Sequence, residues 1–513
     1  MLVPRRPTRI LLAALCLPLL LASCGGGGGG GGDGNDDSPP PQQTGPDPLL
    51  PSQWHLENTG QSGGTAGQDL RARGAWQTTR GEGTRVAIID DAVQTDHEDL
   101  APNVADYFNY RRPGSSPLPE TANDDHGTPV AGIVAARDEN AVGGAGVAPR
   151  ASLGAYNALA TGTTADIADA LNRDFGATGV YHNSWGSPDD GTLHTADSSF
   201  VAAIQRGIRE GRGGRGAIYV FPAGNGGPSD NANFDGYVNK LGIVTACAVD
   251  HDGKAPHYAE AGANILVCGP SGNSVAAITT TAIGNGYTSG FSGTSASAPM
   301  VSGVAALMLA ARPELSWRDV RLILAHSARQ TDPAHPRWVA GTGGRPAHNP
   351  YYGFGAVDAQ AAVALARNWS SVGGSESLLE CSVGSGPLSV PIPDAPSTGT
   401  PTSVRNALTV DGCPITRIEF VEIRFSASHG YSGDLRIDLF SPQGLVSRLA
   451  ENRLCDRNGD GRADSCGAYD DWPFGSVRHL DEPAAGTWTL EVTDRQTQDD
   501  GRLTGWSLHF WGR

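Results

Sequence analysis

Thr288-Ser289-Gly290-Phe291-Ser292-Gly293-Thr294-Ser295-Ala296-Ser297-Ala298-Pro299-Met300 puts a hydroxyl into a run of small residues that becomes apolar and helical from Val301 through Ala311. A serine so placed sits at a helix N-terminus, where unpaired N–H groups and the helix dipole favour negative charge on a nearby oxygen. That is a setting for the nucleophile of an acyl transfer. A Gly-Thr-Ser run also opens helices for purely structural reasons, so the reading depends on what lies upstream.

Two upstream stretches supply the partners. Arg85-Val86-Ala87-Ile88-Ile89-Asp90-Asp91 reads as a buried parallel strand ending in a carboxylate, and Asp125-His126-Gly127-Thr128-Pro129-Val130-Ala131-Gly132 as a loop whose histidine opens a second small-residue helix. Asp90, His126 and Ser295 then follow in the order Asp, His, Ser, each at a strand end or helix start. The carboxyl edge of an α/β sheet gathers functional groups at such places. With these three motifs in order the chain resembles the subtilisin-like serine proteases, and the acid pair Asp90-Asp91 points to the kexin and furin branch. The resemblance runs from about Asp47 to Arg513.

Residue chemistry outlines the mechanism. Ser295 is a poor nucleophile until a base takes its proton; His126 titrates near neutrality and can do so, and Asp90 would hold the imidazole tautomer and stabilise the imidazolium. Tyr219-Val220-Phe221-Pro222-Ala223-Gly224-Asn225-Gly226-Gly227 supplies a candidate oxyanion donor, because the resemblance implies that the Asn225 amide points at that oxygen.

The resemblance also implies specificity. Asn183-Ser184-Trp185-Gly186-Ser187-Pro188-Asp189-Asp190-Gly191 and Asp230-Asn231-Ala232-Asn233-Phe234-Asp235-Gly236-Tyr237 match the two segments that line the first specificity pocket of kexin-like enzymes. Ser184, Trp185 and Gly186 would contact substrate, and Asp189 and Asp235 would face a Lys or Arg side chain, since two carboxylates in a partly desolvated pocket prefer a cation. Asp91 would favour a basic residue one position earlier. Three departures limit the carry-over: Ala92 follows the acid pair where the family has glycine, Asn123 stands where relatives carry an acid, and Thr163 falls near the acid that reads a fourth substrate position. Cleavage after single or paired basic residues is therefore expected rather than a strict four-residue basic motif.

Calcium is the implied cofactor, because hard oxygen ligands dominate the matching positions. One site would use Asp47, Asp99 and Asn140 with the backbone carbonyls of Arg137, Val142 and Gly144; a second, beneath the specificity pocket, would use Asp189, Asp230 and Glu260.

The remaining chain sets the context. It has 513 residues, 39% hydrophobic, and a net charge of −17, which argues against nucleic acid and for a soluble, self-repelling surface or cationic ligands. Arg5, Arg6 and Arg9 precede an apolar run, Ile10 to Ala22, that is too short to span a bilayer and reads as an export signal. Its ending, Leu21-Ala22-Ser23-Cys24, looks like a bacterial lipobox, so residues 1–23 would be removed and Cys24 lipidated; secretion with an incidental cysteine is the alternative. Residues 24–46 are Gly- and Pro-rich and read as a flexible tether. A folded propeptide, usual in subtilisin relatives, has no room there, so folding would either need another protein, an external chaperone, or proceed unaided. The oligomeric expectation is a monomer.

Short apolar strands (Val86 to Ile89, Ala217 to Phe221, Ile243 to Val249) alternate with helical patterns (Thr164 to Arg173, Ser198 to Glu210), the signature of a parallel sheet flanked by helices over residues 47–366. After a linker, 367–374, residues 375–513 change to short alternating strands with Gly-, Pro- and Asp-rich turns, an all-β sandwich or jelly roll. His429-Gly430-Tyr431-Ser432-Gly433-Asp434-Leu435 and Gly486-Thr487-Trp488-Thr489-Leu490-Glu491-Val492 resemble the P domain of proprotein convertases. The fold class expected is thus an α/β subtilisin-like domain followed by a β-sandwich P domain. Asp456 to Asp464 has oxygens at alternating positions like the first half of an EF-hand loop, but Gly467 stands where the closing acid belongs, leaving a third calcium open. Six cysteines beyond Cys16 and Cys24 suggest disulfides in an exported protein; proximity favours Cys247–Cys268, Cys381–Cys413 and Cys455–Cys466 among about fifteen pairings.

These features together predict a calcium-dependent serine endopeptidase, kexin-like, exported and lipid-anchored through Cys24 or secreted. A catalytically idle surface protein that binds peptides or glycans is the competing reading, and a peptide ligase using the same acyl-enzyme ranks last.

Overall fold

The computed structural model describes residues 44–341, 343–455 and 464–513. Residues 1–43 and 456–463, with the lipobox, most of the tether and the EF-hand-like run, lie outside the described residues.

Seven strands form a parallel sheet: β1 (Arg85–Ile89), β2 (Val104–Phe108), β3 (Ser152–Tyr156), β4 (Thr178–Asn183), β5 (Ile218–Pro222), β6 (Ile243–Val249) and β7 (Ile265–Pro270), in the order β2-β3-β1-β4-β5-β6-β7. Strands β4 to β7 are buried along their whole length. Continuous burial is what helices on both faces require, and it is why β5 to β7 read as near-continuous apolar runs rather than alternating ones, whereas β4 buries Thr178, His182 and Asn183 as well. The helices are α1 (Ala72–Trp76), α2 (Gly127–Ala135), α3 (Thr164–Ala170), α4 (Ser198–Glu210), α5 (Thr294–Ala311), α6 (Trp317–Ser327) and α7 (Ala359–Arg367). Side-chain caps explain several starts: Thr163 accepts from Asp166, Asp197 from Ser199, and Ser316 makes a capping box with Asp319. The helical pattern over Thr164 to Arg173 stops at Ala170, and Asp174 then adopts a left-handed φ of 49°.

α5 is apolar on every side and almost wholly buried, the central helix of the core. It is the described helix long and apolar enough to cross a membrane, and its burial accounts for that composition instead. A hairpin of β8 (Ile278–Ala282) and β9 (Gly286–Phe291) delivers the chain to its N-terminus. Cys247 and Cys268 face each other on β6 and β7 and are disulfide-bonded.

The later strands build two antiparallel sheets. One holds β10 (Leu379–Gly384), β13 (Ile418–His429), β16 (Tyr469–Ser476) and β18 (Gly501–Gly512), with β11 (Val390–Ile392) beside β18; the other holds β12 (Ser403–Val410), β14 (Leu435–Phe440), β15 (Val446–Ala450) and β17 (Gly486–Asp494). Their inner faces close on a second core around Val421, Phe425, Leu439, Trp488 and Phe510. Cys381–Cys413 and Cys455–Cys466 are bonded.

The two cores are tied together by buried polar groups. Arg318 on α6 forms a two-point pair with Glu419 on β13, at 2.6 and 2.9 Å, with both side chains shielded from water. Asn233 exchanges two hydrogen bonds with the Gly475 backbone (2.7 and 3.0 Å), and Phe234 packs into the sandwich core. The sandwich thereby grips the segment that carries Asp235.

Candidate active site

In this sheet β1 has β3 on one side and β4 on the other, and the connections run outward in opposite directions from that point. A crevice opens where strand order reverses, at the carboxyl ends. Asp90 follows β1 directly and is 1% exposed. His126 precedes α2 and its Nδ1 lies 3.0 and 3.1 Å from the two Asp90 oxygens. Burial opposes charge on the imidazole, but the carboxylates of Asp90, then Asp91 and Asp125, outweigh it and raise His126 to about 9. With Nδ1–H donated to Asp90, Nε2 is left to take a proton.

Ser295 is the second residue of α5 and half-buried. Its hydroxyl donates to the Ser184 carbonyl at 3.3 Å rather than to His126; catalytic hydrogen bonds are often loose before substrate binds. The bend before α5 is made by Gly293 at φ 79°.

Asn225 is exposed, yet its amide orientation is set. Oδ1 accepts from Thr294 N at 2.8 Å and from Thr294 Oγ1 at 3.0 Å. Oδ1 is therefore committed to α5, which leaves the two Nδ2 hydrogens free to donate elsewhere. The sequence offered no hint of the Thr294 lock, because the partners are 69 positions apart.

Asp91 accepts N–H bonds from Ala92, His126 and Gly127, and burial with the neighbouring Asp90 raises it to about 6. Trp185 donates its indole N–H to the Ile89 carbonyl at 3.0 Å, fixing the β4 exit against β1. Asp235 accepts from Ser187 N (2.9 Å), Ser187 Oγ (3.0 Å) and Tyr237 N (2.7 Å). A Cβ at Gly186 would fall 2.6 Å from Asp235 Oδ2, so only glycine admits that carboxylate. Thr163, placed by sequence near a fourth substrate position, caps α3.

The expected cation positions differ in completeness. Asp189, Asp230 and Glu260 have ligand oxygens within 4.8 Å of one another. Burial, then Asp230, holds Glu260 protonated far above the ordinary carboxylate range, and Asp230 rises to about 6. Asp47 and Asp99 are buried and close: Asp99 accepts from Asn140 Nδ2 (2.8 Å) and Gly144 N (3.2 Å), while Asp47 accepts from the Glu139 and Asn140 N–H groups. Burial raises Asp99 to about 7. Arg137 and Val142 lie in the same loop, their N–H groups bonded to the Asp99 carbonyl and the Asn140 side chain. Crowded, reluctantly ionised oxygens without enough counter-charge suit a hard divalent cation.

One residue had no signal in the sequence. Arg453, between β15 and β16, donates Nε to the Gly191 carbonyl and lies 3.6 Å over the Phe234 ring. The Cys455 sulfur is 3.1 Å from the same carbonyl. Gly191 N in turn bonds Asp230 at 2.9 Å, so the sandwich reaches the rim of the acidic cluster across 262 positions.

Residues 81–355 match the family model described as the subtilase family, and residues 418–510 match the proprotein convertase P-domain. A dibasic-processing endoprotease of Schizosaccharomyces pombe is 36% identical over 482 residues, covering 91% of this chain and 65% of the relative. Mouse (Mus musculus) furin is 35% identical over 487 residues, covering 91% and 58%. The chain thus spans about two-thirds or less of the length of these relatives. The solved serine protease of Aeromonas sobria in complex with the chaperone ORF2 superposes with a TM-score of 0.80 at 27% identity, covering 92% of this chain and 96% of that one.

Proposed function

The chain belongs to the subtilase family, and from that premise we propose that it is a kexin-like serine endopeptidase that hydrolyses peptide bonds after Arg or Lys, single or paired, through an acyl-enzyme on Ser295. The observation that carries the reading is the buried Asp90 bonded to His126 Nδ1 at the strand switch point, with Ser295 on the helix terminus that Asn225 locks.

On this reading the Ser295 hydroxyl swings from the Ser184 carbonyl to His126 Nε2, loses its proton there and attacks the substrate carbonyl. Asp90 stabilises the imidazolium. The Asn225 Nδ2 donors and the N-terminal amides of α5 face the developing oxyanion. The imidazolium then protonates the departing amine, and water, activated by the same base, releases the acid.

Preference for basic residues rests on Asp189 and Asp235 near the first pocket and Asp91 beside the triad, together with the dibasic processing named for the S. pombe relative. Calcium, when bound, would neutralise carboxylates that cannot share their space ionised. Asp189, Asp230 and Glu260 would hold one ion, and Asp47, Asp99 and Asn140 with the carbonyls of Arg137, Val142 and Gly144 another. Residues 47–366 would act as the catalytic domain and 375–513 as a bracing P domain. An external chaperone would assist folding, as the Aeromonas pairing suggests, and residues 1–23 would direct export, with Cys24 lipidated.

A fluorogenic panel with Arg, Lys, Leu or Phe before the scissile bond, with and without chelator, tests this. Turnover of Arg and Lys that vanishes in Ser295→Ala and falls with chelator is expected. Turnover of Leu or Phe instead would discard the acidic pocket, and no turnover by folded protein would discard the protease.

A further inference from the structure

Strand β4 is buried on both faces, yet it carries His182, and Ser184, two residues on and just past the strand's end, lies on the same side. The His182 ring is 0% exposed and both its nitrogens are occupied: Nδ1 lies 2.9 Å from Ser302 Oγ and Nε2 lies 2.7 Å from Ser184 Oγ. Ser302 is roughly two turns along α5 from Ser295, on the same helix face. Ser184 Oγ donates to the Ser295 carbonyl at 2.9 Å, and the Ser184 carbonyl accepts the Ser295 hydroxyl.

The proton positions follow by elimination. A carbonyl only accepts, so the single Ser184 hydroxyl proton points at Ser295. Nε2 of His182 must then donate to Ser184 Oγ, which fixes the Nε2–H tautomer. Nδ1 is left an acceptor, and Ser302 supplies the proton. Burial, followed by repulsion from His126, pushes His182 down to about 3, so the ring stays neutral and the direction of donation does not reverse near neutrality.

The chain ends at the Ser295 carbonyl for a covalent reason. Its helical donor would be the N–H four residues on, and that residue is Pro299, which has none. Ser184 fills the place.

We infer that His182 is a positioning residue for the nucleophile: by fixing the direction of the Ser302–His182–Ser184 chain it holds the Ser295 backbone, and with it the approach of Oγ and the α5 N-terminus to the reacting carbonyl. His182 touches neither substrate nor Ser295 and acts only through Ser184. The inference rests on the part of the proposed function that makes Ser295 the nucleophile.

Three variants test it. His182→Phe keeps ring volume and removes both hydrogen bonds; His182→Gln restores one donor and one acceptor; Ser302→Ala removes only the first proton of the chain. Turnover of an Arg peptide and the rate of Ser295 phosphonylation by a phosphonofluoridate, in which the Oγ–P bond forms and fluoride leaves, are read side by side. For His182→Phe both rates fall about tenfold to a hundredfold with KM little changed, the loss expected from misorienting a nucleophile. His182→Gln recovers most of it, and Ser302→Ala added to His182→Phe costs nothing more, because the chain is already broken. Unchanged rates in folded His182→Phe, no rescue by Gln, or additive losses would overturn the inference; if His182→Phe does not fold, unchanged rates in Ser302→Ala do so. A wild type that phosphonylates but cleaves no peptide removes the endopeptidase reading alone, and one that does neither removes both.

Discussion

Replacing Asn225 separates its chemical contribution from its structural one. In Asn225→Ala the crevice loses the Nδ2 donors, and Thr294 loses its acceptor at 2.8 Å. Loss of one preorganised oxyanion donor raises the barrier by about 2.7–4 kcal/mol, so kcat falls about a hundredfold to a thousandfold. KM stays near its starting value, since the charge that Nδ2 meets exists only in the transition state. Loss of the Thr294 acceptor removes a helix cap, worth about 1 kcal/mol of stability. Asn225→Asp separates the two: a carboxylate still accepts both Thr294 bonds, at a helix N-terminus that favours negative charge. It also sets an anion where the oxyanion forms. The Asp variant is therefore as inactive as Ala, or more so, while melting no lower than the parent. Steady-state kinetics on an Arg peptide with active-site titration, beside thermal unfolding, reads both quantities. A kcat within about threefold of the parent in Asn225→Ala would refute the reasoning.

Three further outcomes are expected. His126 must be neutral to accept the Ser295 proton and is raised to about 9, so kcat/KM climbs with pH on an ionisation well alkaline of the ordinary imidazole value near 6.5; a plateau already reached by pH near 6 counts against the Asp90 pairing. In chelator, Asp99 (about 7) and Asp230 (about 6) keep protons that the unfolded chain has released, so the stability these two carboxyls contribute is full below about pH 4 and is lost as pH rises through those values. Saturating calcium should reverse that slope, adding about 2.7 kcal/mol at a hundredfold excess over Kd; denaturant melts across pH decide it, and a slope indifferent to calcium removes both ion sites. Glu419→Gln leaves Arg318 buried without its counter-charge and also takes a partner from Arg513 at 3.1 Å, so it should cost about 3–5 kcal/mol in chemical unfolding; a loss under about 1 kcal/mol would show that the pair does not tie the sandwich to α6.

The three residues of the proposed triad stand where local pattern is strongest, Asp90 after an apolar strand and His126 and Ser295 at the head of small-residue helices. The helix boundary at Ala170 was not, since the turn before Asp174 depends on a left-handed backbone that no periodicity announces. The disulfide pairs agreed with nearest neighbours in sequence. His182 and Arg453 escaped notice for opposite reasons. A histidine in an apolar strand is visible, but its partner Ser302 is 120 positions away; Arg453 looks like any surface cation until the sandwich folds it over Phe234.

What the sequence determined by itself was the order of elements and the identity of the chemistry. Strand and helix periodicity, cap residues and the Asp, His, Ser succession are local properties, and the short-range sterics and hydrogen bonding that produce them act within a few residues. What only the tertiary structure decided was direction: which way the Asn225 amide faces, which tautomer His182 holds, and how close Asp189, Asp230 and Glu260 come. Those depend on hydrogen-bond partners and unscreened charges brought together from distant parts of the chain, and burial, which no single stretch controls, sets their strength.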